Sequence, residues 1–300
     1  MLDLKGVIPP LVTPFDRNED IDEGAFRDEV RYCLDAGVHG LTVSGSTGEG
    51  HTLTEAESLQ LARIAVEEAG GRVPVVSGII QDSTRAVIRY GKALKDAGVD
   101  GLQITPVHYL FAPDVEGTIG YYEEIGEAVR LPIVIYNVVP WNTIMPETLI
   151  RLADLQWVVA VKQSGGDIHK LADLLRAVRK TGSGLRVLSA VDALLHASYL
   201  LGAHGAVAGI LSVAPGLSVK LWDACQAQDL TTALDLHERL LPVWRVLDRP
   251  DMTTRLKCAI NLQGRAVGYP RRPLQPAGPG LRDEIRAALT EARVGELSPV

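Results

Sequence analysis

Basic clusters, long apolar runs and paired cysteines are all missing from this 300-residue chain. Its 30 Lys and Arg are outnumbered by 37 Asp and Glu, for a formal charge of −7, and the densest basic stretch is the single pair Arg271-Arg272. Phosphate backbones are held by clustered cations that release counterions, so this charge balance argues against a nucleic-acid partner. No apolar run approaches the roughly 20 residues that span a bilayer. The opening MLDLKGVIPP lacks the basic-then-apolar pattern of a secretory leader, so a cytoplasmic protein without a membrane partner is expected. Cys33, Cys225 and Cys258 stand far apart, which predicts buried thiols in place of disulfides or a CxxC site. The histidines show no i, i+4 pairing, and HERLL at 237–241 lacks the second histidine of a zinc helix, so no metal is expected. There is no GxSxG elbow to suggest a serine nucleophile.

What the chain does have is ample apolar material, 46% against 22% charged, which is ordinary for a globular protein with a core to fill. Short β-branched runs alternate with amphipathic segments, the pattern of successive βα units on a parallel sheet. Strands are predicted near 6–12, 39–44, 74–79, 101–105, 132–137, 157–162, 185–189 and 205–210. Helices are predicted at 22–36, 54–69, 83–97, 115–128, 146–154, 168–180, 191–202 and 215–227. The eight pairs predict a (β/α)₈ TIM barrel over 1–228, consistent with α/β barrels of about 250 residues. Helical segments at 229–248, 252–263 and 280–293, with a Pro- and Gly-rich connector at 268–280, predict a C-terminal helical extension over 229–300 packed on the barrel.

AGVHG at 36–40, AGVDG at 97–101 and LGAHG at 201–205 each close a helix and enter a strand. Glycine at such a turn adopts the left-handed backbone that ends a helix. These turns belong at the bottom of a barrel, so His39, Asp100 and His204 read as turn and packing residues.

Chemistry in a parallel barrel sits at the C-terminal strand ends. Lys162 ends the apolar run VVAVK; dry surroundings there disfavour its ammonium form and leave a neutral amine able to attack a ketone. Tyr136 ends the neighbouring strand, where a phenol can both donate and accept a proton. The loop Gly45-Ser46-Thr47-Gly48-Glu49-Gly50 combines glycines that allow close approach with two hydroxyls and amides that suit a carboxylate. It lacks both the GKS or GKT ending and the GxGxxG spacing of nucleotide loops. Ala208 and Ile210, at the end of the eighth predicted strand, are expected to line the substrate pocket.

Together, GSTGE at 45–49, TP at 105–106, YNVVP at 136–140 and VKQSGG at 161–166 resemble the dihydrodipicolinate synthase and N-acetylneuraminate lyase family. The resemblance runs from about residue 5 to the end. It implies a class I, Schiff-base aldolase or dehydratase acting on pyruvate or another 2-oxo acid, without a metal or separate cofactor, and assembled as a homo-oligomer, a tetramer or a dimer. By motif, Lys162 resembles the Schiff-base lysine, Tyr136 the proton-transfer tyrosine, and Ser46 with Thr47 the hydroxyl pair that binds the carboxylate and joins the relay. Gly45 and Gly48 flank that pair.

Three departures stand out. A tyrosine supplied across a subunit interface follows TP in the synthase, and here either His108 or Tyr109 fills that place. The arginine that binds the dicarboxylate substrate after YNVP is replaced by Trp141 and Asn142, and an indole cannot supply a guanidinium's charge. Ala190 and Val191 likewise replace a polar glycine-aspartate segment. Either Trp141 packs a loop or it forms part of a pocket end suited to an apolar or aromatic aldehyde. The expected function is therefore a Schiff-base lyase joining or releasing such an aldehyde. The alternatives are the synthase reaction itself, with aspartate semialdehyde, and a 2-oxo acid binding protein without turnover.

Overall fold

The computed structural model describes residues 2–295, so Met1 and residues 296–300 of the two expected segments lie outside it. Eight parallel strands are present: β1 (Gly6–Val7), β2 (Leu41–Val43), β3 (Val75–Ile79), β4 (Gly101–Ile104), β5 (Ile133–Asn137), β6 (Val158–Gln163), β7 (Arg186–Ser189) and β8 (Gly205–Ala206). Their order is β1-β8-β7-β6-β5-β4-β3-β2. A parallel bridge between Pro10 and Thr42 closes the circle, with Leu11 N–H donating to the Thr42 carbonyl at 2.8 Å. The result is the expected (β/α)₈ barrel.

The intervening helices are α1 (Glu23–Asp35), α2 (Glu55–Ala69), α3 (Thr84–Asp96), α4 (Val115–Val129), α5 (Pro146–Ala153), α6 (Ile168–Thr181), α7 (Leu195–Leu200), α8 (Ile210–Val213) and α9 (Pro215–Gln226). The chain continues through α10 (Leu230–Leu247), α11 (Met252–Leu262) and α12 (Pro279–Ala292). α2 begins with a capping box in which the Thr54 side chain and Glu57 satisfy each other's backbone N–H groups. Among the described residues, no helix is long and apolar enough to cross a membrane.

Two strands are shorter than the sequence predicts. The run from 6 to 12 forms a ladder only at Gly6–Val7, because Pro9 and Pro10 have no N–H to donate. The run from 205 to 210 stops at Ala206, and Ile210 instead opens α8; its N–H is taken by the Asp192 carboxylate at 2.9 Å. The predicted helix at 191–202 likewise divides into a 3₁₀ turn at Asp192–Leu194 followed by α7.

The three glycine turns act as the pattern implies. Gly37, Gly98 and Gly202 have φ of 82°, 89° and 97°, so each reverses the chain where a β-carbon would strain it. The polar residues that follow bind strand starts: His39 Nδ1 accepts from Val7 N–H, Asp100 from Val75 N–H and His204 Nδ1 from Val187 N–H. All three are therefore structural.

Leu4, Ile8, Val76, Val134, Val159, Ala160, Leu188 and Val207 form an apolar cluster of their own inside the barrel. A larger shell lies between strands and helices, and it takes in Leu236 and Val243 of α10, Leu256 and Ile260 of α11 and Leu289 of α12. The tail helices thus share the barrel's apolar shell. Arg265, beyond α11, fastens them further: its Nε donates to Glu29 of α1 at 3.0 Å and its Nη2 to the Ser212 carbonyl of α8 at 2.8 Å. Burial pushes the Glu29 carboxyl up, against the pull of that guanidinium. The cysteines are all buried and free.

Candidate active site

Strand register brings the two principal residues together. Tyr136 on β5 and Lys162 on β6 are direct Cα partners, and the residues two positions earlier, Val134 and Ala160, belong to the barrel's interior cluster. Side chains alternate along a strand, so Tyr136 and Lys162 also face inward, one layer nearer the C-terminal mouth. Lys162 is 4% exposed and Tyr136 5%. The Lys162 Nζ lies 3.9 Å from the centroid of the Tyr136 ring.

The Tyr136 hydroxyl lies 3.2 Å from Ser46 Oγ, within hydrogen-bonding reach. Amine, phenol and hydroxyl therefore form a continuous line from β6 through β5 to the loop after β2. That loop is tightly folded. A β-carbon on Gly50 would stand 2.0 Å from the Ser44 carbonyl oxygen, and one on Gly48 would stand 2.7 Å from that of Leu11. Thr13 Oγ1 donates to the Gly48 carbonyl at 2.6 Å. Thr47 is buried in the same loop, and Gly45 faces the amide of Gln103.

Two residues near this line went unremarked in the sequence. Gln103 on β4 is buried with an unpartnered amide nitrogen beside Gly45; a lone glutamine in the run GLQIT was the available signal. Asp192, in the turn after β7, retains some accessible surface, but its carboxyl lies deep in the protein. Burial pushes it up to about 7, against the Ile210 N–H and the positive charge of nearby Lys162. Its flanks in SAVDALL are largely apolar, so the sequence does not mark it.

The expected substrate-side residues divide into two groups. Ala208 and Ile210 are buried where the chain leaves β8, Ile210 serving Asp192 through its backbone. Trp141 and Asn142 instead tie loops together. The indole N–H donates to the Tyr109 carbonyl at 3.0 Å, and Asn142 Nδ2 donates to the Val107 carbonyl at 2.8 Å. Trp141 is 66% exposed. His108 is engaged by Asp82, with Nδ1 2.8 Å from the carboxylate, whereas the Tyr109 side chain projects into solvent at 66% exposure.

Cavities of about 490 and 570 Å³ occur elsewhere, beside α11 and α12 and between α5 and α6 respectively, and neither is lined by Lys162, Tyr136 or Ser46. Chemistry, not volume, selects the site. Among the described residues, no three His, Cys, Asp or Glu side chains are grouped to hold a metal ion.

Residues 3–292 match the dihydrodipicolinate synthetase family. The chain belongs to that family. As a dihydrodipicolinate synthetase family member it is an enzyme of the lyase type. A 4-hydroxy-tetrahydrodipicolinate synthase of Methanopyrus kandleri is 35% identical, with 95% of each chain covered. The dihydrodipicolinate synthase DapA-2 of Bacillus anthracis superimposes with a TM-score of 0.90 at 31% identity, covering 97% of this chain and 99% of its own. YagE, a family member from E. coli K12 solved in complex with pyruvate, gives a TM-score of 0.92 at 27% identity, covering 98% of this chain and 100% of its own.

Proposed function

We propose that the protein is a class I, pyruvate-dependent lyase that carries its 2-oxo acid as a Schiff base on Lys162. The observation that carries this reading is the line from buried Lys162 through buried Tyr136 to half-buried Ser46. The amine adds to the keto carbon, the former carbonyl oxygen takes up protons and leaves as water, and a protonated imine remains. Loss of a proton from the adjacent carbon then gives an enamine nucleophile. Tyr136 moves these protons, with Ser46 as its next partner, while the Ser46 and Thr47 hydroxyls and the amides flanked by Gly45 and Gly48 hold the carboxylate. No metal or separate cofactor takes part, since the iminium is the electron sink.

Aspartate semialdehyde is the electrophile best supported by resemblance, because the curated relatives covering nearly the whole chain are named 4-hydroxy-tetrahydrodipicolinate synthase. One observation favours a second reading. Trp141 and Asn142 stand where the synthase motif has its dicarboxylate-binding arginine, which favours an apolar or aromatic aldehyde. The exposure of Trp141 and its bond to the Tyr109 backbone weaken that second reading. Ala208 and Ile210 belong to the pocket wall in either case.

The same loops favour assembly with a second copy of the chain. Tyr109, Leu110, Phe111 and Trp141 are all more than half exposed, an apolar patch suited to a second copy of the chain. With His108 held by Asp82, Tyr109 is the residue available to reach a partner's site. A homodimer, or a tetramer built from it, is the expected state.

The test is an assay of pyruvate with aspartate semialdehyde and, separately, with aromatic aldehydes, both in excess chelator. Turnover of the semialdehyde alone supports the synthase reading, and turnover of the aromatic aldehydes alone supports the second. Pyruvate binding without turnover of either would reduce the protein to a 2-oxo acid binder, and activity abolished by chelation would contradict the metal-free reading.

A further inference from the structure

The loop bearing Ser46 and Thr47 is held from outside the barrel. Its Glu49 has φ of 58°, a left-handed conformation that costs a non-glycine residue energy and persists only where surrounding contacts enforce it. The enforcing contacts come from α11 and the connector that follows it. Lys257 Nζ on α11 lies 2.6 Å from one Glu49 oxygen, and the Arg271 N–H donates to the other at 2.9 Å. Both charged side chains are 1% exposed. Lys257 is itself fixed, donating to the Tyr269 carbonyl at 2.6 Å and lying 4.3 Å from the centroid of the Phe15 ring.

A buried ion pair is a poor device for stability, because desolvating two charges offsets most of their attraction; apolar replacements are often neutral or better. What it supplies here is position. The Glu49 N–H donates to the Ser46 carbonyl at 3.1 Å and Gly50 N–H to the Gly45 carbonyl at 2.9 Å, so the loop closes on itself. Gly50 sits against Ser44 with no room for a β-carbon. A shift of Glu49 must therefore be passed to Ser46, whose hydroxyl meets Tyr136.

We infer that Lys257 is a positioning residue for the carboxylate-binding end of the active site, acting through Glu49 to hold the Ser46–Thr47 loop against the bound 2-oxo acid. This inference rests on the Schiff-base reading of Lys162. Removing Lys257 leaves Glu49 a buried carboxylate with only the Arg271 N–H on one oxygen, and the loop moves to hydrate the other. Capture of the keto acid then suffers before any later step.

The experiment compares the full-length protein with Lys257→Met, Glu49→Gln and the double variant. It reads the pyruvate concentration giving half-maximal borohydride trapping, alongside thermal unfolding. The single variants should need roughly tenfold more pyruvate, the loss expected for one hydrogen bond to a charged group. The double variant, with neither charge stranded, should recover stability but not the pyruvate requirement, a split that a purely structural role would not produce. If Lys257→Met does not fold, the charge-free double variant carries the test. Unchanged half-saturation in any folded variant, beside normal trapping in the wild type, would overturn this inference alone. No lysine adduct in the wild type would remove the Schiff-base reading and this inference with it.

Discussion

The carboxylate of Asp192, in the turn after β7, accepts the Ile210 N–H at 2.9 Å where the chain leaves β8. The contact joins the last two strand ends beside Lys162, and it keeps a carboxyl group in dry surroundings that push it up to about 7. In the unfolded chain this group ionises near its ordinary value of 3.8. Between those limits only the folded protein holds the proton, so rising pH favours the unfolded state across the window and no further above it. Asp192→Asn keeps an acceptor for Ile210 and removes the ionisation. Thermal unfolding should show the variant gaining on the wild type from about pH 4 to about pH 7. A gain that does not change with pH would mean that Asp192 titrates normally.

Tyr136→Phe retains the ring beside the Lys162 amine and removes the hydroxyl that meets Ser46. Loss of a positioned proton donor and acceptor typically costs 10²–10⁴-fold, so turnover should fall by roughly that range. The fold should lose only about 1 kcal/mol, the worth of one hydrogen bond. Steady-state kinetics and denaturant unfolding check the two halves, and wild-type turnover would remove Tyr136 from the relay.

Arg265 is bound to Glu29 with both partners buried, and it also reaches the carbonyls of Ser212 and Val213. Arg265→Met leaves an unpaired carboxylate inside the protein and should cost about 3–5 kcal/mol in chemical denaturation. Adding Glu29→Leu removes the stranded charge and should restore much of that loss.

Trp141→Phe keeps an apolar ring but cannot donate to the Tyr109 carbonyl. If the indole's role is to tie the two loops, KM for the aldehyde should rise while pyruvate trapping on Lys162 stays at its wild-type level. A parallel loss of pyruvate trapping would mean that the loops also shape the keto-acid end.

The strand ends that hold the proposed catalytic pair were legible because their signal is local. Apolar runs ending in Tyr136 and Lys162 appear as such in the sequence, and parallel register then makes the two neighbours. Thr54 with Glu57 announces the start of α2, and the glycine turns announce the ends of α1, α3 and α7. The weak ends of the first and eighth strands were not legible as such. Proline at 9 and 10 and the capture of Ile210 N–H by Asp192 override β-branched composition. Nor could the sequence pair Glu49 with Lys257 or Glu29 with Arg265, because those partners meet only when the C-terminal helices dock on the barrel. The place of Trp141 was open in the same way, since whether an indole faces a pocket or a neighbouring loop depends on tertiary packing.

The central claim concerns one nitrogen, and trapping addresses it directly. The protein is incubated with pyruvate and reduced with borohydride, then digested and analysed by peptide mass spectrometry. The account predicts a stable pyruvate-derived adduct on the peptide containing Lys162, absent in Lys162→Ala. An unmodified Lys162 alongside an adduct on another lysine would contradict it.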